Sequence, residues 1–199
     1  MSERYRTVAE RASASFEVQG SAFIGHVAPA ETVEAAETVV DEIRAEYDDA
    51  THNVPAYRVR ASPLREYSSD DAEPSGSAGT PALNVLQQRD IENAVAVVTR
   101  YYGGTNLGVG GLAHAYGRAV KNGVDAAGIV ESVPHERFRV TVEYDDSGTV
   151  RSLLESAAVE FDAAYEADVT FAVRVPVAEA ALLRDRIRSA TSGRADIET

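Results

Sequence analysis

Apolar and polar residues alternate near the start of the chain and then change to a helical spacing. Residues 15–19 alternate, Gly20 and Ser21 give a turn signal, and residues 22–27 are largely apolar. This pattern predicts a β-hairpin. Over residues 30–47 the apolar positions recur every three or four residues while acidic residues fill the other face, which predicts an amphipathic helix.

The middle of the chain predicts strands and helices around a buried centre. Residues 55–61 alternate as a strand does, whereas the polar stretch over residues 62–80 is too long for an ordinary connection. Residues 81–88 suit a short helix with proline in its first turn. Residues 93–100 form the unbroken apolar run of a strand buried on both faces, and residues 111–127 return to helical spacing.

A new pattern begins after residues 129–137, which contain Pro134 and are predicted to be a linker. The remaining elements follow the order βαββαβ, the ferredoxin-like arrangement. We therefore predict an α+β protein with an N-terminal domain over residues 1–130 and a ferredoxin-like domain over residues 136–199. The strands are predicted at residues 138–144, 159–165, 169–175 and 194–198, and the helices at residues 147–158 and 177–189.

Length and composition exclude several classes of protein. A chain of 199 residues with 44% hydrophobic residues can bury a sizeable core. There is no cysteine, which excludes disulfides, Cys-ligated zinc and iron–sulfur clusters. No apolar run reaches the length of a membrane span or a signal peptide, so we expect a cytoplasmic protein with no membrane partner.

The charge of the chain is strongly acidic but unevenly distributed. The net charge is -13, Lys121 is the only lysine, and an acidic, lysine-poor surface suits a protein that stays hydrated in concentrated salt. Residues 1–50 carry a net charge of -7 and residues 129–199 a net charge of -6, whereas residues 51–128 are neutral. The middle segment is therefore the surface that repels an anion least, unless charge simply varies along the chain.

The first segment with candidate chemistry is the acidic loop, residues 70–79. Asp70, Asp71 and Glu73 place three carboxylates within four residues, which could bind Mg²⁺ or supply a general base. The following run of serines and glycines could aim backbone N–H groups at an anion, although the carboxylates would repel it unless a metal bridges them. The alternative is an acidic loop that is merely solvated.

The second segment, residues 100–118, holds five glycines between Gly103 and Gly111. A glycine-rich loop between a buried strand and a helix lets backbone N–H groups approach phosphate oxygens. The spacing fits neither a Walker motif nor a dinucleotide fingerprint, and the alternative is a set of tight turns with close helix packing. Positive charge near this loop would come from Arg100, His114, Arg118 and Lys121.

Histidines are few and isolated. His52, followed by Asn53, lies just before a predicted strand and is either a site residue or a local hydrogen-bonding group. His26 and His135 are interpreted as structural. No Ser–His–Asp order can be argued from spacing.

Several strings occurring in one order resemble the Impact/YigZ family. The resemblance is strong over about residues 15–128, and the tail resembles the ferredoxin-like domain of the prokaryotic members, which have no RWD domain. The strings are SAFI at 21–24, THN at 51–53, AYR at 56–58, DDAEPSGSAG at 70–79, TRYYGG at 99–104, LGVGGL at 107–112 and AY at 115–116.

The resemblance implies an N-terminal fold of the ribosomal-protein-S5-domain-2 type and a link to translation. RNA, the ribosome or a translation factor are the partners it implies, by analogy of fold. One departure is Ala72, where the family usually has glycine, so a glycine-only backbone conformation is either relaxed or not required there.

Two functions and one structural alternative follow. The preferred function is binding of RNA or translation components in a cleft between residues 70–79 and 100–118, with stacking from Tyr101, Tyr102 and Tyr116. The alternative is an enzyme acting on a phosphorylated or nucleotide substrate, with Asp71 and Glu73 as metal ligands or base. In the third reading the acidic loop closes over the glycine-rich turn without a ligand.

We assign no catalytic residue, metal or cofactor. The candidate ligand or RNA-binding residues are His52, Asn53, Asp71, Glu73, Ser75, Ser77, Arg100, Tyr101, Gly103, Gly104, Gly108, Gly110, Gly111 and Arg118.

Overall fold

The computed structural model describes residues 4–61 and 63–199, which divide into two compact units. We call Tyr5–Ser132 the N-terminal unit and Val133–Thr199 the C-terminal unit. Each combines helices with antiparallel strands, so the predicted two-domain α+β class is confirmed. The elements of the N-terminal unit are β1 (Tyr5–Val8), β2 (Ala12–Val18), β3 (Ser21–Pro29), α1 (Val33–Glu46), β4 (His52–Val59), β5 (Arg65–Ser68), α2 (Gly79–Gln88), β6 (Ala94–Tyr101), α3 (Gly108–Ala127) and β7 (Ile129–Ser132).

The main sheet of the N-terminal unit has the strand order β2-β3-β6-β4-β5, and every neighbouring pair is antiparallel. β2 and β3 form the predicted hairpin. β6 lies at the centre, as its unbroken apolar run predicts, because a central strand is covered on both faces.

Side chains alternate along β6 and divide the core into two layers. Ala96 and Val98 pack with α2 and α3 on one face, whereas Val95 and Val97 pack with α1 on the other. Arg100 follows Val98 in the same alternation. The strand therefore carries a positive charge onto the face that α2 and α3 cover.

Glycines bring α3 close to β3. A Cβ added at Gly25 would lie 2.0 Å from the carbonyl oxygen of Ala119, and one at Gly123 would lie 2.8 Å from a methyl carbon of Val27. Real Cβ atoms do not approach other atoms this closely. These glycines are thus needed for packing.

Three strands, β1, β5 and β7, lie where the sequence predicts none. Residues 129–137 are not a linker, because β7 pairs with β1 in an antiparallel register from Tyr5 opposite Ser132 to Val8 opposite Ile129. β5 lies within the polar stretch over residues 62–80 and pairs with β4; Ser62 itself is outside the described residues. Strands of four residues are too short to give a periodic signal, and β1 and β7 pair across the whole length of the unit.

The C-terminal unit has the predicted βαββαβ order. Its sheet has the strand order β11-β8-β10-β9, and side chains of both helices pack into one core with residues such as Val140 and Phe171. None of the helices in the described residues is long and apolar enough to cross a membrane. The elements are β8 (His135–Val142), α4 (Tyr144–Ser156), β9 (Glu160–Tyr165), β10 (Val169–Pro176), α5 (Val177–Ala190) and β11 (Asp196–Glu198).

Candidate functional site

Arg100 lies near the end of β6 and is almost completely buried. The residue is 4% exposed, and its guanidinium carbon lies 5.5 Å from the centre of the Phe23 ring and 5.4 Å from that of Tyr102. Its Nη2 donates to the hydroxyl of Ser21 at 3.3 Å, whereas Nε has no hydrogen-bond partner among the described residues. A buried guanidinium requires a negative partner close by.

Glu73 of the acidic loop is that partner. Its Oε1 accepts hydrogen bonds from Arg100 Nη1 at 2.5 Å and from the Tyr116 hydroxyl at 2.7 Å. Burial and then the hydrogen bond to Glu73 raise the pKa of Tyr116 far above its ordinary value, so this hydroxyl stays protonated and donates. The Glu73–Arg100–Tyr116 cluster therefore fastens the acidic loop to β6 and α3.

Asp70 holds the acidic loop in shape and caps the N-terminus of α2. Its carboxylate accepts from the backbone N–H groups of Gly76 at 2.8 Å, Ala78 at 3.1 Å and Gly79 at 2.8 Å. The N-cap residue, Ala78, has no side chain that could cap the helix, so Asp70 satisfies these donors. The backbone donors that the sequence offers to an external anion are thus occupied by the protein's own carboxylate.

Burial acts to raise the pKa of Asp70, but the N–H groups of Gly76, Gly79 and Ala78 outweigh it and hold that pKa below its ordinary value. The ionised carboxylate is therefore the form that the loop stabilises.

Asp71 ties the loop to the start of β4. Its Oδ2 accepts from the backbone N–H of Asn53 at 2.7 Å, and its carbonyl oxygen lies 2.7 Å from His52 Nδ1. A carbonyl oxygen only accepts, so Nδ1 of His52 carries the proton in this contact. The other ring nitrogen, Nε2, lies 3.6 Å from Glu73 Oε1. The fold thus brings His52, Asn53 and Asp71 together, and His52 lies next to Glu73.

Ala72 adopts the backbone conformation that glycine prefers. Its φ is +67°, and that of Asp71 is +48°. The departure from the family's glycine therefore does not reflect a relaxed conformation. This alanine holds the left-handed conformation at a cost that glycine would avoid.

The other predicted polar residues, Ser75, Ser77 and Tyr101, are exposed or form hydrogen bonds elsewhere. The Ser77 hydroxyl is buried and donates to the Pro74 carbonyl at 2.6 Å, whereas Ser75 is exposed. Tyr101 follows Arg100 and so points to the opposite face of the sheet, where its hydroxyl donates to Asp49 at 2.7 Å. That hydrogen bond raises the pKa of Tyr101 to about 12.

The predicted glycines have three different environments. A Cβ at Gly103 would lie 1.9 Å from the carbonyl carbon of Gly20, and one at Gly111 would lie 3.1 Å from Leu107 Cβ, so both are close-packed. Gly104 and Gly108 have positive φ values of 86° and 70° and face open space. Gly110 faces open space as well, which leaves the start of α3 uncovered.

The Glu73–Arg100–Tyr116 cluster does not support the alternative function, in which Glu73 serves an enzyme as metal ligand or base. Glu73 is 9% exposed and already accepts from two side chains, whereas a general base must reach its substrate. The described residues contain no group of three or more His, Asp or Glu side chains placed to hold a metal ion. Tyr116 is fully buried, so it offers no surface for base stacking.

A groove of about 1020 Å³ lies between α2 and α3. Pro81 lies near Gly117, and Arg89 contacts Asp125, so the two helices run in the same direction. We call this feature the α2–α3 groove. Its chemistry comes from the amides Asn84, Gln88 and Asn122, the basic residues Arg89, His114, Arg118 and Lys121, and the small residues Gly110, Ala113 and Gly117.

None of the described residues that line the α2–α3 groove is acidic. Arg89 is paired with Asp125 at 2.5 Å. Arg118 and Lys121 have no carboxylate within ion-pair distance in the described part of the chain, and the Arg118 guanidinium lies 4.2 Å from the Phe16 ring centre. Arg118 and Lys121 thus bring positive charge to the groove of an acidic protein, while Asp125, the partner of Arg89, also attracts Lys121.

Sequence reasoning found only part of this groove. Gly110 and Arg118 are among the predicted site residues, and His114 and Lys121 were recognised as sources of charge. The amides of α2 were missed. Their only signal is the spacing of four residues between Asn84 and Gln88, which is common on any solvated helix face.

Comparison with known proteins agrees with this fold and these motifs. The family model described as "Impact N-terminal domain" matches residues 19–124, and the one described as "Domain of unknown function (DUF1949)" matches residues 140–194. A solved structure described as "Crystal structure of an hypothetical protein" covers 100% of this chain and 98% of its own, with a TM-score of 0.72 and 30% identity.

Two relatives carry the same family name. IMPACT family member YvyE of Bacillus subtilis is 33% identical over 100% of this chain and 92% of its own length. IMPACT family member YigZ of Escherichia coli is 35% identical over 83% of this chain and 82% of its own length. The chain therefore belongs to the IMPACT family, in the prokaryotic type in which the Impact N-terminal domain precedes a DUF1949 domain.

Proposed function

We propose that the protein is a translation-linked regulatory protein that binds RNA through the α2–α3 groove. Membership of the IMPACT family supports the link to translation, because the family resemblance seen in the sequence implies such a link. The observation that carries the RNA-binding part is the lining of the groove. The chain has 32 acidic residues and 19 lysines and arginines, yet the described lining residues include three of those 19, one histidine and no acidic side chain.

The groove lies beside the cleft predicted from sequence. The five lining residues from Gly110 to Arg118 belong to both, but the second wall of the groove is α2 and not the acidic loop. The acidic loop is fastened to β6 and α3 by Glu73, and the carboxylates of Asp70 and Glu73 are occupied by hydrogen bonds within the protein. The α2 wall presents amides, which an anionic ligand tolerates.

The composition of the groove favours RNA over a protein segment. Protein partners usually anchor large apolar or aromatic side chains in a pocket. Apart from Pro81 and Val85, the described lining is polar, basic or small. Phosphate groups need cations and hydrogen-bond donors, which this groove supplies.

Binding of ribosomes and of protein-free ribosomal RNA tests this proposal. An Arg118→Ala, Lys121→Ala variant should bind RNA at least about tenfold more weakly, and the slope of log K against log salt should shrink by about 1–2. The control is an Arg151→Ala, Arg186→Ala variant, which removes two positive charges from the C-terminal unit. Equal binding by both variants, or binding of ribosomes but never of protein-free RNA, would overturn the proposal; the latter result would indicate a protein partner.

A further inference from the structure

We infer that the α2–α3 groove takes double-helical RNA and recognises its backbone and 2′-hydroxyl groups without reading bases. This inference rests on the proposed function and names the class of RNA. Proteins that select single strands stack unpaired bases on aromatic rings, whereas proteins that select A-form duplexes contact phosphates and 2′-hydroxyls. The residues that line the groove indicate which of these two binding modes it uses.

No aromatic ring is among the described residues that line the groove. The ring closest to its basic wall belongs to Phe16, which stacks on Phe23 with ring centres 5.4 Å apart and planes inclined by 8°. The Arg118 guanidinium lies 4.2 Å from the same ring. Phe16 therefore has no free face for a base.

Tyr102 is the exposed aromatic side chain nearest in sequence to the start of α3, with 46% of the residue exposed. The Arg100 guanidinium lies 5.4 Å from its ring centre, and its hydroxyl donates to Asn106 at 3.2 Å. Tyr102 is not among the described residues that line the groove. Base stacking, the main source of affinity for single strands, has no platform in the groove.

The basic wall of the groove follows the axis of α3. His114, Arg118 and Lys121 are spaced four and three residues apart, which places them on one face of the helix over about 10 Å. The floor between the walls is formed by the small residues Gly110, Ala113 and Gly117. Two cations and an imidazole beside a floor without large side chains allow a continuous phosphate backbone to lie close to the helix.

The opposite wall presents side-chain amides. Asn84 and Gln88 are one helical turn apart on α2, and both are exposed. A 2′-hydroxyl both donates and accepts a hydrogen bond, and an amide side chain offers both groups. Deoxyribose offers neither. The pair of amides therefore favours RNA over DNA, while the cations alone would bind both.

Fluorescence anisotropy with three probes of one sequence tests the inference. The probes are an RNA duplex of about 16 base pairs, its single strand and the corresponding DNA duplex. The RNA duplex should bind at least about fivefold more tightly than either of the others. If the single strand binds as tightly as the duplex, the inference is wrong while RNA binding stands. If none of the RNA probes binds, the proposed function itself fails.

Amide variants provide the matched test. An Asn84→Ala, Gln88→Ala variant should lose about tenfold in affinity for the RNA duplex and little for the DNA duplex. The control is Gln87→Ala, since Gln87 is exposed on the same helix but contacts Glu66 and does not line the groove. Loss of RNA and DNA binding to the same extent in the amide variant would overturn the role of the 2′-hydroxyl. Circular dichroism of each variant separates loss of binding from loss of fold.

Discussion

Glu73 and Arg100 lie 27 residues apart in the sequence and share a hydrogen bond of 2.5 Å, although their side chains are only 4% and 5% exposed. A buried ion pair adds little to stability relative to an apolar pair, but removal of one partner leaves an uncompensated charge. This asymmetry makes the pair a sensitive point of the N-terminal unit.

Replacement of the buried carboxylate should destabilise the protein strongly. Glu73→Gln keeps the shape of the side chain but removes its charge, and we expect a loss of about 3 kcal/mol in the free energy of unfolding. The control is Glu42→Gln, because Glu42 pairs with Arg11 on the surface at 2.6 Å and should contribute less than about 1 kcal/mol. Urea denaturation measures both; similar small losses would contradict the structural role of Glu73.

The carboxylate of Asp70 should stabilise the protein in a pH-dependent way. Three backbone N–H donors hold its pKa below the ordinary value of 3.8, so this stabilisation is complete above about pH 4 and is lost as the pH falls through the lower folded-state value. At neutral pH, Asp70→Ala should cost about 1–2 kcal/mol. Asp41→Ala, an exposed change on α1, serves as the control and should cost less than about 0.5 kcal/mol. An equal effect of both changes would count against the capping role.

Glycine at position 72 should stabilise the acidic loop. Ala72 has a φ of +67°, and glycine adopts that conformation without steric strain. We expect Ala72→Gly to raise the free energy of unfolding by about 0.5 kcal/mol, because relief of strain exceeds the entropy that glycine adds to the unfolded chain. Ala45→Gly in α1 should have the opposite sign, with a loss of about 1 kcal/mol. Destabilisation by both changes would show that position 72 is not strained.

His26 should make the N-terminal unit less stable in mild acid. Its Nε2 lies 3.2 Å from Thr99 Oγ1, and burial lowers its pKa below 6.5, with Glu46 opposing and Arg11 assisting this shift. Because the unfolded chain binds the proton more readily, stability should fall as the pH drops below about 6.5.

The measurement is the urea midpoint between pH 7.5 and 5.5 for the wild type and for His26→Gln. The variant should lose part of this pH dependence, whereas His114→Gln, a change at an exposed position in the groove, should retain it. An unchanged slope in His26→Gln would exclude His26 as its source.

The sequence by itself determined the order of most elements, because their patterns are local. The unbroken apolar run of β6, the helical spacing of α3 and the βαββαβ order of the C-terminal unit each lie within one continuous segment. The family strings likewise depend only on residues close together in the chain. The α+β class and the family could therefore be predicted before any contact was known.

Only the tertiary structure decided which candidate residues meet. Arg100 and Tyr101 are adjacent, yet the alternation of β6 sends one into the buried cluster and the other to the opposite face, toward Asp49. β1 and β7 pair across the whole unit, and the amides of α2 face the cations of α3 only after the helices pack. Such contacts join residues far apart in sequence, and no local pattern encodes which distant segments will pack together.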